Sequence, residues 1–131
     1  MIKTGVGCYI FNQDGKVLMG LRCGKNEPDV WCPTGGHVEV GETLEQTAVR
    51  ETIEEAGLEV KNISFKGFTE EIKPNRHYIS FHYFAQLASN DAPQLKEPER
   101  FVKWEWVDPQ KLPAPLMESV KNFSEKYGFI K

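Results

Sequence analysis

The sequence predicts an α/β fold, an α/β/α sandwich around a mixed β-sheet. Three observations carry this expectation. Strand-like runs lie on both sides of one strongly patterned helix, turn residues separate those runs, and a second helical segment closes the chain.

Residues 4–11 alternate small and apolar side chains and read as a strand. Asn12-Gln13-Asp14-Gly15 ends in Asp-Gly, a common hairpin turn pair, so residues 16–22 return as a second strand. Residues 23–36 are rich in Gly, Pro, Asn and Asp and read as loop, interrupted by Val30-Trp31-Cys32. Thr43-Leu44-Glu45-Gln46 fits a capping box, with Thr43 as N-cap and Gln46 reaching back. Ala48, Val49, Thr52, Ile53 and Ala56 supply the stripe facing the core, and Gly57 suits a left-handed C-terminal cap. Residues 59–69 and 77–88 read as two longer strands joined by the polar turn Lys73-Pro74-Asn75-Arg76. Tyr78, Phe81, Tyr83 and Phe84 then serve sheet packing. Residues 89–100 are loop, 101–107 a strand and 116–127 a terminal helix.

At 131 residues the chain is expected to form one domain over residues 1–131. Its net charge of −3 argues against a nucleic-acid polymer as partner, which would need a basic face. An anionic ligand would therefore have to be held by local basic side chains and a metal rather than by bulk charge. Cys8, Cys23 and Cys32 are odd in number and lack zinc-site spacing, which points to reduced thiols and a cytoplasmic setting. The N-terminus has no signal-peptide pattern, and no apolar run approaches spanning length, so no membrane partner is expected.

Residues 36–58 hold the chemistry. At about 100° per residue, Glu51, Glu54 and Glu55 fall within an arc of roughly 100° on one helix. Like charges at that spacing repel, and carboxylate oxygens are what Mg²⁺, Mn²⁺ and Ca²⁺ accept. Three glutamates on a helix are more often a solvated face. What separates this case is the fixed framework around them: Gly36, Glu42 after five residues, Arg50-Glu51 after seven, then Glu54-Glu55, Gly57 and Leu58.

That spacing resembles the complete signature of the Nudix hydrolases. The resemblance implies the Nudix fold and hydrolysis of a nucleoside diphosphate linked to another group, with Mg²⁺ as cofactor and Mn²⁺ as the alternative. It implies Glu51, Glu54, Glu55 and the backbone carbonyl of Gly35 as metal ligands, with Glu51 and Glu55 as the principal pair. Gly36, Glu42, Arg50 and Gly57 match structural positions. Glu51, Glu54 and Glu99 are the catalytic candidates, Glu51 ranking first as general base and Glu99 second, with Glu97 beside it in the same loop. Arg22, Trp31, His37, Leu116 and Met117 are candidate substrate contacts, each with a structural reading beside it: a strand-end charge, core packing or a structural histidine.

The layout is similar to the MutT-like branch, which converts nucleoside triphosphates to monophosphates and pyrophosphate. ADP-ribose or a nucleotide-sugar is the alternative, and a binding-only domain a further one that the intact glutamates oppose. Two departures stand out: Thr52 replaces the usual bulky aliphatic residue, and Thr34 stands where many members have proline. The segment 113–117 also lacks the asparagine with which guanine-oxidation specialists read the base. Leu116 and Met117 would then give an apolar wall and a broad base preference. Edge strands and aromatics are compatible with a homodimer.

Overall fold

In the computed structural model, which describes residues 1–128, the sheet is built around its first strand. The elements are β1 (Ile2–Phe11), β2 (Val17–Arg22), β3 (Trp31–Cys32), β4 (Thr34–His37), α1 (Leu44–Ala56), β5 (Val60–Lys73), β6 (Arg76–Leu87), β7 (Phe101–Val107) and α2 (Glu118–Tyr127). The strand path runs β3-β2-β1-β6-β5, with β4 also pairing β1 and β7 pairing β2. β1 and β6 are parallel, from Ile2↔His77 to Phe11↔Gln86, and every other pairing is antiparallel, so the sheet is mixed as expected.

The period of two in β1 assigns the faces. Val6, Cys8 and Ile10 point to one core with Leu18, Ala48, Ala56, Leu58 and Ala85, beneath α1. Tyr9 points to the other, with Met19, Trp31, Phe101, Val120 and Phe123, beneath α2. Each helix therefore covers one face, which is the sandwich the sequence implied.

The local signals act where they are written. Asn12 Oδ1 accepts from the backbone N–H groups of Asp14 and Lys16, both at 3.0 Å, and Gly15 turns at φ 74°, closing the first hairpin. Thr43 and Gln46 form both bonds of the capping box, and Gly57 ends α1 at φ 66°.

Three boundaries and one helix face differ from expectation. The glycine pair 35–36 lies not in loop but in β4, because its backbone pairs with β1 from Gly5↔His37 to Cys8↔Thr34. β5 and β6 run closer together than alternation indicates, leaving Pro74-Asn75 as the turn. α2 starts at Glu118 because Trp31 bonds through its backbone to Pro115 and Met117, both at 2.9 Å, holding that segment extended. On α1, Ile53 is 42% exposed whereas Glu55 is 1% exposed. The buried stripe is thus rotated toward the acidic edge. Among the described residues no helix is long and apolar enough to cross a membrane.

Candidate functional site

The loop between β4 and α1 is tied down by one side chain. Arg50 grips Glu42 with Nε to Oε2 at 2.7 Å and Nη2 to Oε1 at 3.1 Å, and Nη2 also donates to the His37 carbonyl at 3.1 Å. Thr47 and the backbone N–H of Glu39 donate to the same Glu42 oxygen. The Arg50 guanidinium, then Thr47, hold the Glu42 carboxyl down at about 2. Glu42 and Arg50 thus fix the loop against the helix.

The three glutamates of the arc meet three environments. Glu54 is exposed and pairs with Arg50 Nη1 at 3.0 Å. Glu51 is half-buried, takes the same Nη1 at 2.7 Å, and lies so close over Gly36 that a Cβ there would overlap its carboxyl group. Burial pushes the Glu51 carboxyl up, opposed by Arg50. Glu55 is fully buried, accepts from the Gly35 backbone N–H at 2.9 Å, and has Arg100 Nη1 3.6 Å away. Burial pushes its pKa up to about 8, against the lowering effect of the Gly35 bond and with the Glu51 charge adding to the rise. Glycine is required at position 35 for space: a Cβ would overlap the Val6 carbonyl of β1.

Glu55 opens into a cavity of about 670 Å³. Gly35, Gly36 and His37 share its wall, and Lys3, Arg22, Lys25, Lys73, Arg76 and Arg100 bring positive charge around it. His37 registers that field: burial lowers its pKa first, then the charges of Lys3, Arg100 and Arg76. Its Nε2 lies 2.7 Å from the Tyr78 hydroxyl, and Arg76 stacks over the Tyr78 ring at 4.5 Å.

Of the five expected substrate contacts, Arg22, His37 and Met117 line the cavity. Trp31 and Leu116 do not. Trp31 is 9% exposed within the second core, against which Leu116 packs, and the two bridge each other through the backbone. Arg22 spends its guanidinium on the carbonyls of Asn26 and Glu27, bracing the loop at the cavity edge. Glu99 is exposed and away from the cavity wall. Glu97 pairs with Arg100 at 3.0 Å and so approaches Glu55 through that arginine. Arg100 and Glu71 are cavity residues that the sequence reading did not single out. For Glu71 no signal existed along the chain: Gly67, Thr69 and Glu71 face inward in β5, whereas the apolar Phe68 and Ile72 face out.

The donor set fits a hard cation. It is all oxygen, and two of its carboxylates sit where burial disfavours their charge, which a bound cation would relieve. Among the described residues no three acidic, His or Cys side chains already surround one point. Arg50 Nη1 occupies oxygens of both Glu51 and Glu54. An ion would have to take those oxygens from the guanidinium.

The pattern that defines the NUDIX domain matches residues 1–127. The chain is 31% identical over 132 aligned positions to the RNA pyrophosphohydrolase of Gluconobacter oxydans, covering 82% of this chain and 72% of that protein. It is 32% identical to the NAD-capped RNA hydrolase NudC of Edwardsiella ictaluri over 77% of this chain, and spans only 37% of that relative's length. Among solved structures, a MutT NUDIX hydrolase from Burkholderia pseudomallei superposes with a TM-score of 0.86 at 26% identity, covering 96% of this chain and 98% of that one.

Proposed function

The chain belongs to the Nudix family, and on that premise we propose that it is a pyrophosphohydrolase of nucleotide-type substrates that converts nucleoside triphosphates to monophosphates and pyrophosphate, as MutT-like members do. The observation that carries this reading is the placement of Glu55. A fully buried carboxylate beside Glu51 opens into a cavity large enough for a nucleotide and edged by cationic side chains. Its wall and charge suit a small triphosphate.

Glu51, Glu55, Glu54 and the Gly35 carbonyl would hold Mg²⁺. The ion, when bound, neutralises phosphate oxygens and makes water more acidic. The protein's own groups do the rest. Attack of water on a phosphorus forms one P–O bond and breaks the bridging anhydride bond, and the proton lost by water goes to a carboxylate. Glu51 is the assigned base: its carboxyl lies over Gly36 of the cavity wall, one helical turn from Glu55. Arg100 holds positive charge near Glu55 at the cavity wall, and Arg50 keeps the glycine loop seated on α1. Glu99, exposed and off the wall, takes second place as base.

A second reading comes from the Gluconobacter relative, an RNA pyrophosphohydrolase, and would place the 5′ end of an RNA in the same cavity. Pyrophosphate release with Mg²⁺ should be measured on deoxy- and ribonucleoside triphosphates, ADP-ribose, nucleotide-sugars and 5′-triphosphate RNA, with Glu51→Gln and Glu55→Gln beside the wild type. The proposal expects triphosphate cleavage that falls by about 100-fold or more in either variant. Turnover of ADP-ribose or RNA alone would overturn it, and unchanged turnover in the variants would remove the assigned residues.

A further inference from the structure

Glu71 of β5 is a charged group that hydrolysis leaves unused. It is 8% exposed, yet it lines the same cavity as Glu55. Ser80 of β6 donates to Oε1 at 2.9 Å and Asn122 of α2 donates to Oε2 at 3.1 Å. The carboxylate is therefore held from two sides, each oxygen with one donor. An ionised carboxylate offers about four acceptor sites and no donor, so each oxygen keeps capacity for one more N–H. Among the described residues Glu71 has no ion-pair partner within 4.0 Å. A buried, incompletely satisfied carboxylate is costly unless something supplies donors.

The neighbours narrow what can supply them. His82, beside Glu71 on the cavity wall, has both ring nitrogens engaged, Nδ1 with Tyr9 at 2.9 Å and Nε2 with Thr69 at 3.0 Å. Met117 and Val120 add apolar surface. An oriented acceptor pair beside apolar wall suits a flat ring with two adjacent N–H groups on one edge.

Resting on the nucleotide reading of the cavity, we propose that Glu71 is its base-reading residue and selects guanine nucleotides. Guanine alone among the common bases places two donors side by side, N1–H and the 2-amino group, so both carboxylate oxygens are used. Adenine and cytosine put an acceptor nitrogen next to their amino group, and uracil and thymine flank one N–H with two carbonyls. Those acceptors meet a carboxylate and are repelled. Oxidation at C8 leaves the selected edge unchanged, so oxidised guanine is accepted too. This replaces the broad preference that an apolar wall alone would give.

The discriminating pair is GMP against IMP, which differ only in the 2-amino group. Titration calorimetry of the metal-free protein is expected to give GMP a lower Kd than IMP by about tenfold or more. Glu71→Gln turns one acceptor into a donor and should bring the ratio near one. Ser80→Ala loosens the carboxylate while keeping its charge, should reduce the ratio, and serves if the Gln variant does not fold. Equal wild-type affinities for GMP and IMP, or a ratio that survives a folded Glu71→Gln or Ser80→Ala, would overturn the assignment. Cleavage of GTP by the same wild-type preparation keeps the two readings apart. An intact GMP preference without cleavage would fail only the hydrolysis proposal. Cleavage sensitive to Glu55→Gln, with equal GMP and IMP binding, would fail only Glu71.

Discussion

Lowering the pH from 7.5 to 5 should expose the cost of burying His82. Its ring is 1% exposed and stacks on Phe123 at a centroid distance of 4.4 Å. Burial lowers its pKa from 6.5 to about 4. The unfolded chain then binds a proton that the folded chain refuses. The stability contribution is present above the unfolded pKa and is lost as pH falls toward the folded one. By linkage the loss is about 2 kcal/mol by pH 5 and approaches roughly 3.4 kcal/mol below pH 4. Glu55 acts the other way. Its folded pKa of about 8 lies above the ordinary value of 4.5, so protonation stabilises the fold as pH falls, by about 3 kcal/mol over the same window. A raw stability curve would therefore conceal the histidine. Urea unfolding of wild type and His82→Gln at each pH isolates it, because the lost hydrogen bonds and stacking subtract as a constant. The wild type should lose about 2 kcal/mol more than the variant between pH 7.5 and 5, or about 7 °C in Tm. Parallel curves would refute the claim that burial holds this ring neutral, and an NMR titration of its Cε1–H would report the same group directly.

Further outcomes follow from single contacts. In chelator-treated protein, Glu55→Gln should abolish a stability loss of about 1.4 kcal/mol between pH 7 and 9, since the wild-type contribution disappears as pH rises through about 8; an unchanged slope in thermal melts would reassign the raised carboxyl. Gly35→Ala should destabilise by about 3 kcal/mol or more in urea unfolding, because its Cβ meets the Val6 carbonyl rather than a movable side chain; a loss under about 0.5 kcal/mol would show that β4 can shift away from β1. Thr34→Val and Thr52→Val should each cost about 1 kcal/mol, and the double variant less than their sum by roughly 0.5–1 kcal/mol; strict additivity across the cycle would mean that the two hydroxyls do not interact.

Much of the fold and the framework of the site could be read from residue order, because the signals concerned are local. A capping box, an Asp-Gly turn and a left-handed glycine act within a few residues, and all three stand where the sequence places them. What could not be read depends on which backbone arrives from elsewhere. Helical spacing puts Glu51, Glu54 and Glu55 on one arc, but the Gly35 N–H of β4 makes Glu55 the buried member and leaves Ile53 outside. Trp31 and Leu116 became core because a long-range bridge joins them. Glu71 is a stronger case. Alternation of the apolar Phe68 and Ile72 would turn it outward, yet it faces in, where Ser80 and Asn122 from other elements hold it.

The two departures from the family pattern, taken singly, looked like small losses of packing: a hydroxyl on a core face of the helix, and a proline missing before the glycine pair. In the fold they meet. Thr34 Oγ1 and Thr52 Oγ1 lie 2.9 Å apart in a fully buried position, with Thr52 also donating to the Ala48 carbonyl at 2.8 Å and Thr34 within 3.3 Å of the Cys8 carbonyl. A threonine at either position with an aliphatic partner would keep its backbone carbonyl acceptor but lose the bond between the two hydroxyls. The pair joins α1 to β4 one residue before the glycine that bonds Glu55. What appears along the chain as two unrelated exceptions is therefore one tether, and it holds the helix to the strand that completes the acidic site.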